Sequence, residues 1–85
     1  VNSDKPALVA FWSVTDQESM DIVSELESME LEDQGYKFIK IDTYKNRLIS
    51  NRYDIEEIPT LLKLESGKVA SKLVRPEKEE IEAII

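Results

Sequence analysis

The run Ala7-Leu-Val-Ala-Phe-Trp12 constrains the fold of this chain more than any other segment. It is short, apolar and rich in strand-forming residues, and it is bounded by Pro6 and Ser13, which is typical of a strand buried on both faces. A strand of this kind lies inside a sheet that is covered by packing elements on both sides. We therefore expect a central strand here and helices on both faces of one sheet.

A helix is predicted directly after this strand. Thr15-Asp-Gln-Glu18 has the form of a capping box, in which the side chains of Thr15 and Glu18 satisfy each other's free backbone amides. Apolar residues then recur at three- and four-residue intervals until near Leu31. This pattern predicts an amphipathic helix with one stripe on the core. The stripe consists of Met20, Ile22, Val23, Leu26 and Met29.

The next two elements are a strand and a short helix. Alternation over Tyr36–Asp42 predicts the second strand, and Asn46–Tyr53 is a plausible helix with Leu48 and Ile49 turned inward. The order is then β-α-β-α. The strand Tyr36–Asp42 is expected to form an exposed edge of the sheet.

A hairpin and a last helix complete the chain. Thr60–Glu65 and Lys68–Val74, joined by a turn at Ser66-Gly67, predict two antiparallel strands. Pro76 is expected to open the last helix. The buried side of that helix carries Ile81, Ile84 and Ile85. The sequence thus predicts a single α/β domain over residues 1–85, with the order β-α-β-α-β-β-α, one mixed sheet and helices on both faces.

Composition removes several classes of chemistry. The 85 residues include no Cys and no His, so a thiol nucleophile, a disulfide, an imidazole base and a Cys- or His-ligated metal are excluded. We expect no catalytic residue, no metal and no cofactor. The net charge of −7 argues against nucleic-acid binding. No apolar run approaches the length of a membrane span, so we expect a soluble domain of unknown compartment.

Charge is unevenly distributed along the chain. Between Pro6 and Tyr36 every charged residue is acidic, whereas bases outnumber acids from Lys37 to Arg75. One interpretation is that the acids form the solvated face of the first helix. The alternatives are a docking surface for a basic partner and a weak cation site. The acids are Asp16, Glu18, Asp21, Glu25, Glu27, Glu30, Glu32 and Asp33.

Four segments together resemble the thioredoxin family over nearly the entire chain. They are Val9-Ala-Phe-Trp12, Lys40-Ile-Asp42, Arg52-Tyr-Asp-Ile55 with Ile58-Pro-Thr60, and Leu61–Val69 with Ser66-Gly67. The resemblance implies a minimal thioredoxin-like fold that lacks the first strand and helix of full-length thioredoxins. It also implies a cis-proline at Pro59.

The chain departs from the family at the redox motif. The family's W-C-x-x-C corresponds to Thr15–Ser19, so Asp16 and Ser19 stand at the places of the two cysteines. The glycine that faces the motif corresponds to about Val74. In this respect the chain is similar to the noncatalytic domains of protein disulfide isomerases. We expect Asp16 and Glu18 to cap the helix or to receive a basic residue of a partner, and Ser19 to be a solvated serine.

The resemblance also implies a peptide groove beside the cis-proline. We expect a redox-inactive domain, not an enzyme, that binds a protein or peptide there. The alternatives are a structural or dimerisation domain of a larger protein and a low-affinity calcium-binding acidic domain. A further alternative for the proline is that its turn only directs the next strand. The expected groove residues are Trp12, Thr15, Asp16, Ile58, Pro59 and Val74.

Overall fold

The computed structural model of the chain describes residues 5–85 and centres on a mixed four-stranded sheet. The strands are β1 (Ala7–Trp12), β2 (Lys37–Asp42), β3 (Thr60–Glu65) and β4 (Lys68–Val74). They lie in the order β2-β1-β3-β4, with β1 parallel to β2 and antiparallel to β3, and with β3 and β4 forming a hairpin. The central position predicted for the first strand is confirmed.

Three helices cover the sheet. They are α1 (Gln17–Ser28), α2 (Arg47–Arg52) and α3 (Lys78–Ile84), and a 3₁₀ turn follows α1 at Leu31–Gln34. The long α1 and α3 pack on one face, and the six-residue α2 lies on the other. The predicted α/β architecture with helices on both faces is therefore confirmed. Within residues 5–85, none of these helices has the length and apolar character needed to cross a membrane.

Alternation along β1 divides the core into two clusters, because successive side chains of a strand point to opposite faces. Leu8 and Ala10 pack on the α1 and α3 side, together with Leu26 and Ile81. Val9 and Phe11, which alternate with Leu8 and Ala10 along β1, point to the α2 side. That second cluster contains Val9, Phe11 and Leu62, with Ile41, Tyr53, Ile55, Ile58 and Leu64 packed against it.

The first helix begins one residue later and ends earlier than the sequence predicts. Its N-cap is Asp16 rather than Thr15, so the predicted capping box at this position is wrong. At the other end, Glu30 adopts a left-handed backbone conformation with φ of 51°. A residue in this conformation cannot continue a right-handed helix. The helix therefore ends at Ser28, and Leu31 starts a separate 3₁₀ turn.

The orientation predicted for α2 is also wrong. Leu48 is 87% exposed and Ile49 is 40% exposed, whereas the buried residue of this helix is Ser50. The Ser50 hydroxyl donates to the carbonyl of Asn46 at 3.1 Å. With six residues, α2 has fewer than two turns. Its inward side is correspondingly small, and the apolar contacts come from Tyr53 and the loop after it.

The last helix begins two residues after Pro76. Glu77 and Glu80 form its capping box, in which each side chain reaches the other residue's backbone amide. Ile81 is fully buried, whereas Ile84 and Ile85 are only partly buried. The helix therefore fixes Ile81 in the core and packs Ile84 and Ile85 against the edge of the same cluster.

The outer edge of β2 has no strand partner among residues 5–85. The expectation that this chain lacks a first strand and helix found in full-length thioredoxins stays a prediction. Side chains of β2 pack on both faces of the sheet: Phe38 packs on the α1 side, and Ile41 packs on the α2 side.

Candidate functional site

The loop between β1 and α1 is closed by side-chain hydrogen bonds at the helix N-terminus. Asp16 has an extended backbone and its Oδ2 accepts from the amide of Ser19 at 2.9 Å. This carboxylate lies at the positive end of the helix dipole, which favours an anion. Thr15 caps nothing and instead shares a 2.8 Å hydrogen bond with the hydroxyl of Ser13.

Ser19 is buried, with 0% of its surface exposed, so the expectation of a solvated serine is wrong. Its hydroxyl accepts from the amide of Ser13 at 3.1 Å. The same hydroxyl lies within donating distance of two carbonyl oxygens, 3.0 Å from that of Ser13 and 2.9 Å from that of Asp16. A side chain held in this way tethers the end of β1 to the first turn of α1.

Glu18 forms a two-point ion pair with Arg75, the residue after β4. Arg75 Nη2 donates to Glu18 Oε1 at 2.7 Å, and Nε donates to Oε2 at 3.2 Å. The hydrogen bond from Arg75 holds the pKa of Glu18 below its ordinary value. The same bond raises the pKa of Arg75. Glu18 is therefore paired within the chain and does not complete the predicted capping box.

Arg75 also connects the loop to the proline turn. The Ile58–Pro59 peptide bond is cis, and the amide of Arg75 donates to the carbonyl of Pro59 at 2.7 Å. Arg75 has a left-handed backbone with φ of 49°. This is a conformation that favours glycine. Arg75 is one residue beyond Val74, and the correspondence of about Val74 to the family's glycine stays a prediction.

Sequence reasoning missed Arg75 as a site residue. Its partner Glu18 is 57 positions away, and no local pattern links two residues at that separation. The signal that could have found it is the hairpin register, because Thr60 pairs with Val74 and so puts the next residue beside Pro59.

The structure brings only some of the predicted groove residues together. Asp16 and Pro59 lie on the two sides of the contact that Glu18 and Arg75 make, and Val74 precedes Arg75 with 46% of its surface exposed. Ile58 packs against the second core cluster on the α2 side.

Trp12 is the aromatic residue among the six predicted groove residues. Trp12 packs on the α1 side of the sheet, where Lys40 Nζ lies 5.7 Å from the centroid of its ring. The assignment of Trp12, Thr15, Asp16, Ile58, Pro59 and Val74 to one groove stays a prediction.

Bases from later in the chain pair with several acids of α1. Lys78 lies 3.1 Å from Glu25, and Lys40 lies 3.6 Å from Glu27. The hydrogen bond to Glu25 raises the pKa of Lys78. Across the described part of the chain, no group of three or more Asp or Glu residues could hold a metal ion. Folding thus pairs several acids from the first half of the sequence with bases from the second half. The acids of α1 are spread along the surface of the helix.

Comparison with known proteins identifies the family of this chain. The profile of the thioredoxin family matches residues 1–85. The chain belongs to the thioredoxin family. It is 41% identical over 71 residues to thioredoxin Y1 of Arabidopsis thaliana chloroplasts, covering 80% of the chain and 40% of that protein. It is 33% identical over 75 residues to thioredoxin 2 of Chlorobaculum tepidum, covering 87% of the chain and 69% of that protein.

Solved structures agree on the fold. Fasciola hepatica thioredoxin superposes with a TM-score of 0.85 at 21% identity, over 98% of this chain and 81% of that one. The Drosophila germline thioredoxin Deadhead superposes with a TM-score of 0.88 at 17% identity, over 98% and 80%. The chain therefore spans less than half of its plant relative and about four fifths of these solved chains.

The relatives correct the functional expectation. They are named thioredoxins, which implies a redox function, and nothing in the comparisons indicates a protein-binding role. The expectation that the domain functions by binding a protein or peptide at the cis-proline groove, with a structural or dimerisation domain or a low-affinity calcium-binding domain as alternatives, is therefore wrong. The thioredoxin-like fold inferred from the sequence motifs is confirmed.

Proposed function

We propose that this thioredoxin-family chain belongs to a thiol-redox system but transfers no electrons through its own residues. Its role is then that of a noncatalytic module, similar to those of protein disulfide isomerases. The observation that supports this proposal is the loop at the start of α1, where Asp16 and Ser19, which the resemblance matches to the motif positions, are held in hydrogen bonds of the loop.

The chemistry of these two side chains supports the same conclusion. Thiol–disulfide exchange needs a thiolate that attacks a disulfide sulfur. The carboxylate of Asp16 cannot take part in that exchange. The Ser19 hydroxyl is buried and has no imidazole to deprotonate it, since the chain contains no His. The residues at the two positions therefore stabilise the loop without supplying a nucleophile.

The geometry around the two positions nevertheless suits a pair of thiols. Asp16 is partly exposed at the helix N-terminus, where a thiolate is stabilised by the dipole and the free amides. Ser19 lies buried three residues later, and its amide is already within 2.9 Å of the Asp16 side chain. An exposed group and a buried group that lie next to each other can act as an attacking and a resolving thiol.

A disulfide-reduction assay tests the proposal. The unchanged chain is expected to reduce insulin disulfides in the presence of dithiothreitol no faster than dithiothreitol alone. The double variant D16C/S19C is expected to give turnover above that blank, because it restores a thiol at both positions. The matched control D16C is expected to form mixed disulfides without turnover, since it has no resolving thiol.

Two results would count against the proposal. Turnover by the unchanged chain would show that it transfers electrons without cysteine and would reject the proposal outright. A folded D16C/S19C variant that forms no internal disulfide and shows no turnover would reject the assignment of Asp16 and Ser19 to the redox positions.

A further inference from the structure

A pocket of about 380 Å³ lies between α2 and the segment that leads to the proline turn, and we call it the polar pocket. The backbone sets its two walls. Asp54 turns the chain with a left-handed φ of 54°, and the amide of Ile55 then donates to the carbonyl of Ser50 at 2.9 Å. The volume lies within the range of small-molecule sites. The lining includes Tyr44, Arg47, Asn51, Ile55, Glu56 and Ile58.

The polar pocket lies on the side of α2 that faces away from the β2 edge. Arg47 and Asn51 line it, and residues four positions apart lie on the same side of a helix. Ile49 and Arg52 lie on the other side of α2, where they line a cavity that reaches β2. A strand and helix added beside the β2 edge would meet the side that carries Ile49 and Arg52. The opening of the polar pocket therefore does not depend on what pairs with β2.

Two opposite charges line this pocket without neutralising each other. Arg47 belongs to α2, and Glu56 belongs to the segment that forms the facing wall. Both side chains are exposed, and within residues 5–85 neither of them forms an ion pair. Each charge is therefore available to a ligand. Because the two do not reach each other, a ligand that contacts both has to carry its own charges at separate ends.

The rest of the lining suits an apolar body between those charges. Ile55 and Ile58 are partly buried against the second core cluster, so the wall that they form is backed by the core. Tyr44 is 63% exposed, and its amide donates to Asp42 Oδ1 at 2.9 Å, which holds the turn that carries the phenol. The side-chain amide of Asn51 adds a hydrogen-bond donor and an acceptor.

We propose that the polar pocket binds a small zwitterion, with an ammonium group and a carboxylate at the two ends of an apolar or aromatic body. The carboxylate pairs with Arg47, and the ammonium group pairs with Glu56. A purely anionic ligand would be repelled by Glu56, and a purely cationic ligand would be repelled by Arg47, so the site discriminates against both. This site is separate from the loop at Asp16 and does not depend on the proposed redox role.

An aromatic zwitterion, para-aminomethylbenzoate, provides the probe. Benzylamine and para-toluate are matched control ligands, because each keeps the ring and lacks one of the two charges. Titration of the ¹⁵N-labelled chain with the zwitterion is expected to give saturable amide shifts within residues 43–58, where the lining lies. Each control ligand is expected to bind about tenfold more weakly, because one charge-assisted hydrogen bond is lost.

Substitutions that remove one charge test the orientation of the ligand. After R47Q the zwitterion is expected to bind no better than benzylamine, and after E56Q no better than para-toluate. R52Q and E57Q are matched controls, since each removes the same kind of charge from a residue that does not line the pocket, and both should leave binding nearly unchanged. All four positions are exposed, so these variants change binding with little effect on stability.

Three outcomes would overturn the proposal. Equal binding of the zwitterion and both control ligands would show that the two charges do not select the ligand. Equal losses for R47Q and R52Q, or for E56Q and E57Q, would show that binding depends on overall charge and not on the pocket. The absence of saturable shifts within residues 43–58 at millimolar zwitterion would reject the site itself.

Discussion

Glu18 and Arg75 form a bidentate ion pair that joins the start of α1 to the end of β4. Arg75 also donates its amide to the carbonyl of Pro59. One residue therefore links the helix N-terminus, the end of the hairpin and the proline turn. The backbone of Arg75 is left-handed, and L-residues other than glycine adopt that conformation at a steric cost.

The first prediction concerns that backbone cost. R75G is expected to be more stable than R75Q by about 1 kcal/mol, because both variants lose the ion pair but only glycine adopts the left-handed conformation without a steric cost. Urea unfolding of both variants measures the difference. The difference in stability between the wild type and R75Q measures the loss of the charge at constant backbone geometry. Equal stabilities of R75G and R75Q would show that the conformation at position 75 is not strained.

The second prediction is the pH dependence of the Glu18–Arg75 contact. The pKa of Glu18 is lowered in the folded chain, so its contribution to stability is present above the unfolded-state pKa and is lost as the pH falls through the folded-state pKa. The difference in unfolding free energy between the wild type and E18Q should therefore shrink on acidification. It should also shrink with added salt, since both side chains are about half exposed.

An NMR titration of the Glu18 carboxyl provides the direct measurement. Its midpoint is expected below that of an unpaired glutamate, and R75Q is expected to return it toward the ordinary value. A midpoint that R75Q leaves unchanged would mean that another group lowers the pKa.

The sequence predicted the sheet and the family because strand alternation, the hairpin turn and the Ile-Pro-Thr segment are local patterns. It could not choose between Thr15 and Asp16 as the N-cap, since both residue types cap helices and they are adjacent. It placed Leu48 inward because apolar periodicity gives no reliable direction over a helix of fewer than two turns. It missed Arg75 because that contact depends on the tertiary fold.

The third prediction tests the N-cap assignment. D16A is expected to destabilise the chain by about 1 kcal/mol, because the amide of Ser19 loses its acceptor at the helix end. T15A should cost less, since within residues 5–85 the Thr15 hydroxyl bonds to the neighbouring Ser13 side chain and to no amide at the helix end. Thermal or urea unfolding of the two variants checks the order. A larger loss of stability for T15A than for D16A would support Thr15 as the N-cap, as in the capping box inferred from the sequence.

The fourth prediction concerns the buried hydroxyl of Ser19. S19A is expected to destabilise the chain by about 1 to 3 kcal/mol, because the amide of Ser13 is left buried without an acceptor. S28A provides a matched control, since the Ser28 hydroxyl also bonds to a backbone carbonyl but is exposed at the other end of α1. A loss in S19A no larger than that in S28A would indicate that water enters the loop.

The last prediction compares Leu61 with Leu48, which the sequence assigned to the interior. L61A is expected to lower the unfolding free energy by about 2 to 5 kcal/mol, because Leu61 is almost completely buried between the sheet and its covering helices. L48A is expected to change it by less than about 0.5 kcal/mol, because the Leu48 side chain is mostly in water. The two substitutions remove the same atoms, so urea unfolding isolates the effect of burial. A large loss in L48A would show that α2 presents Leu48 to the core in solution and would require the helix to be rotated about its axis.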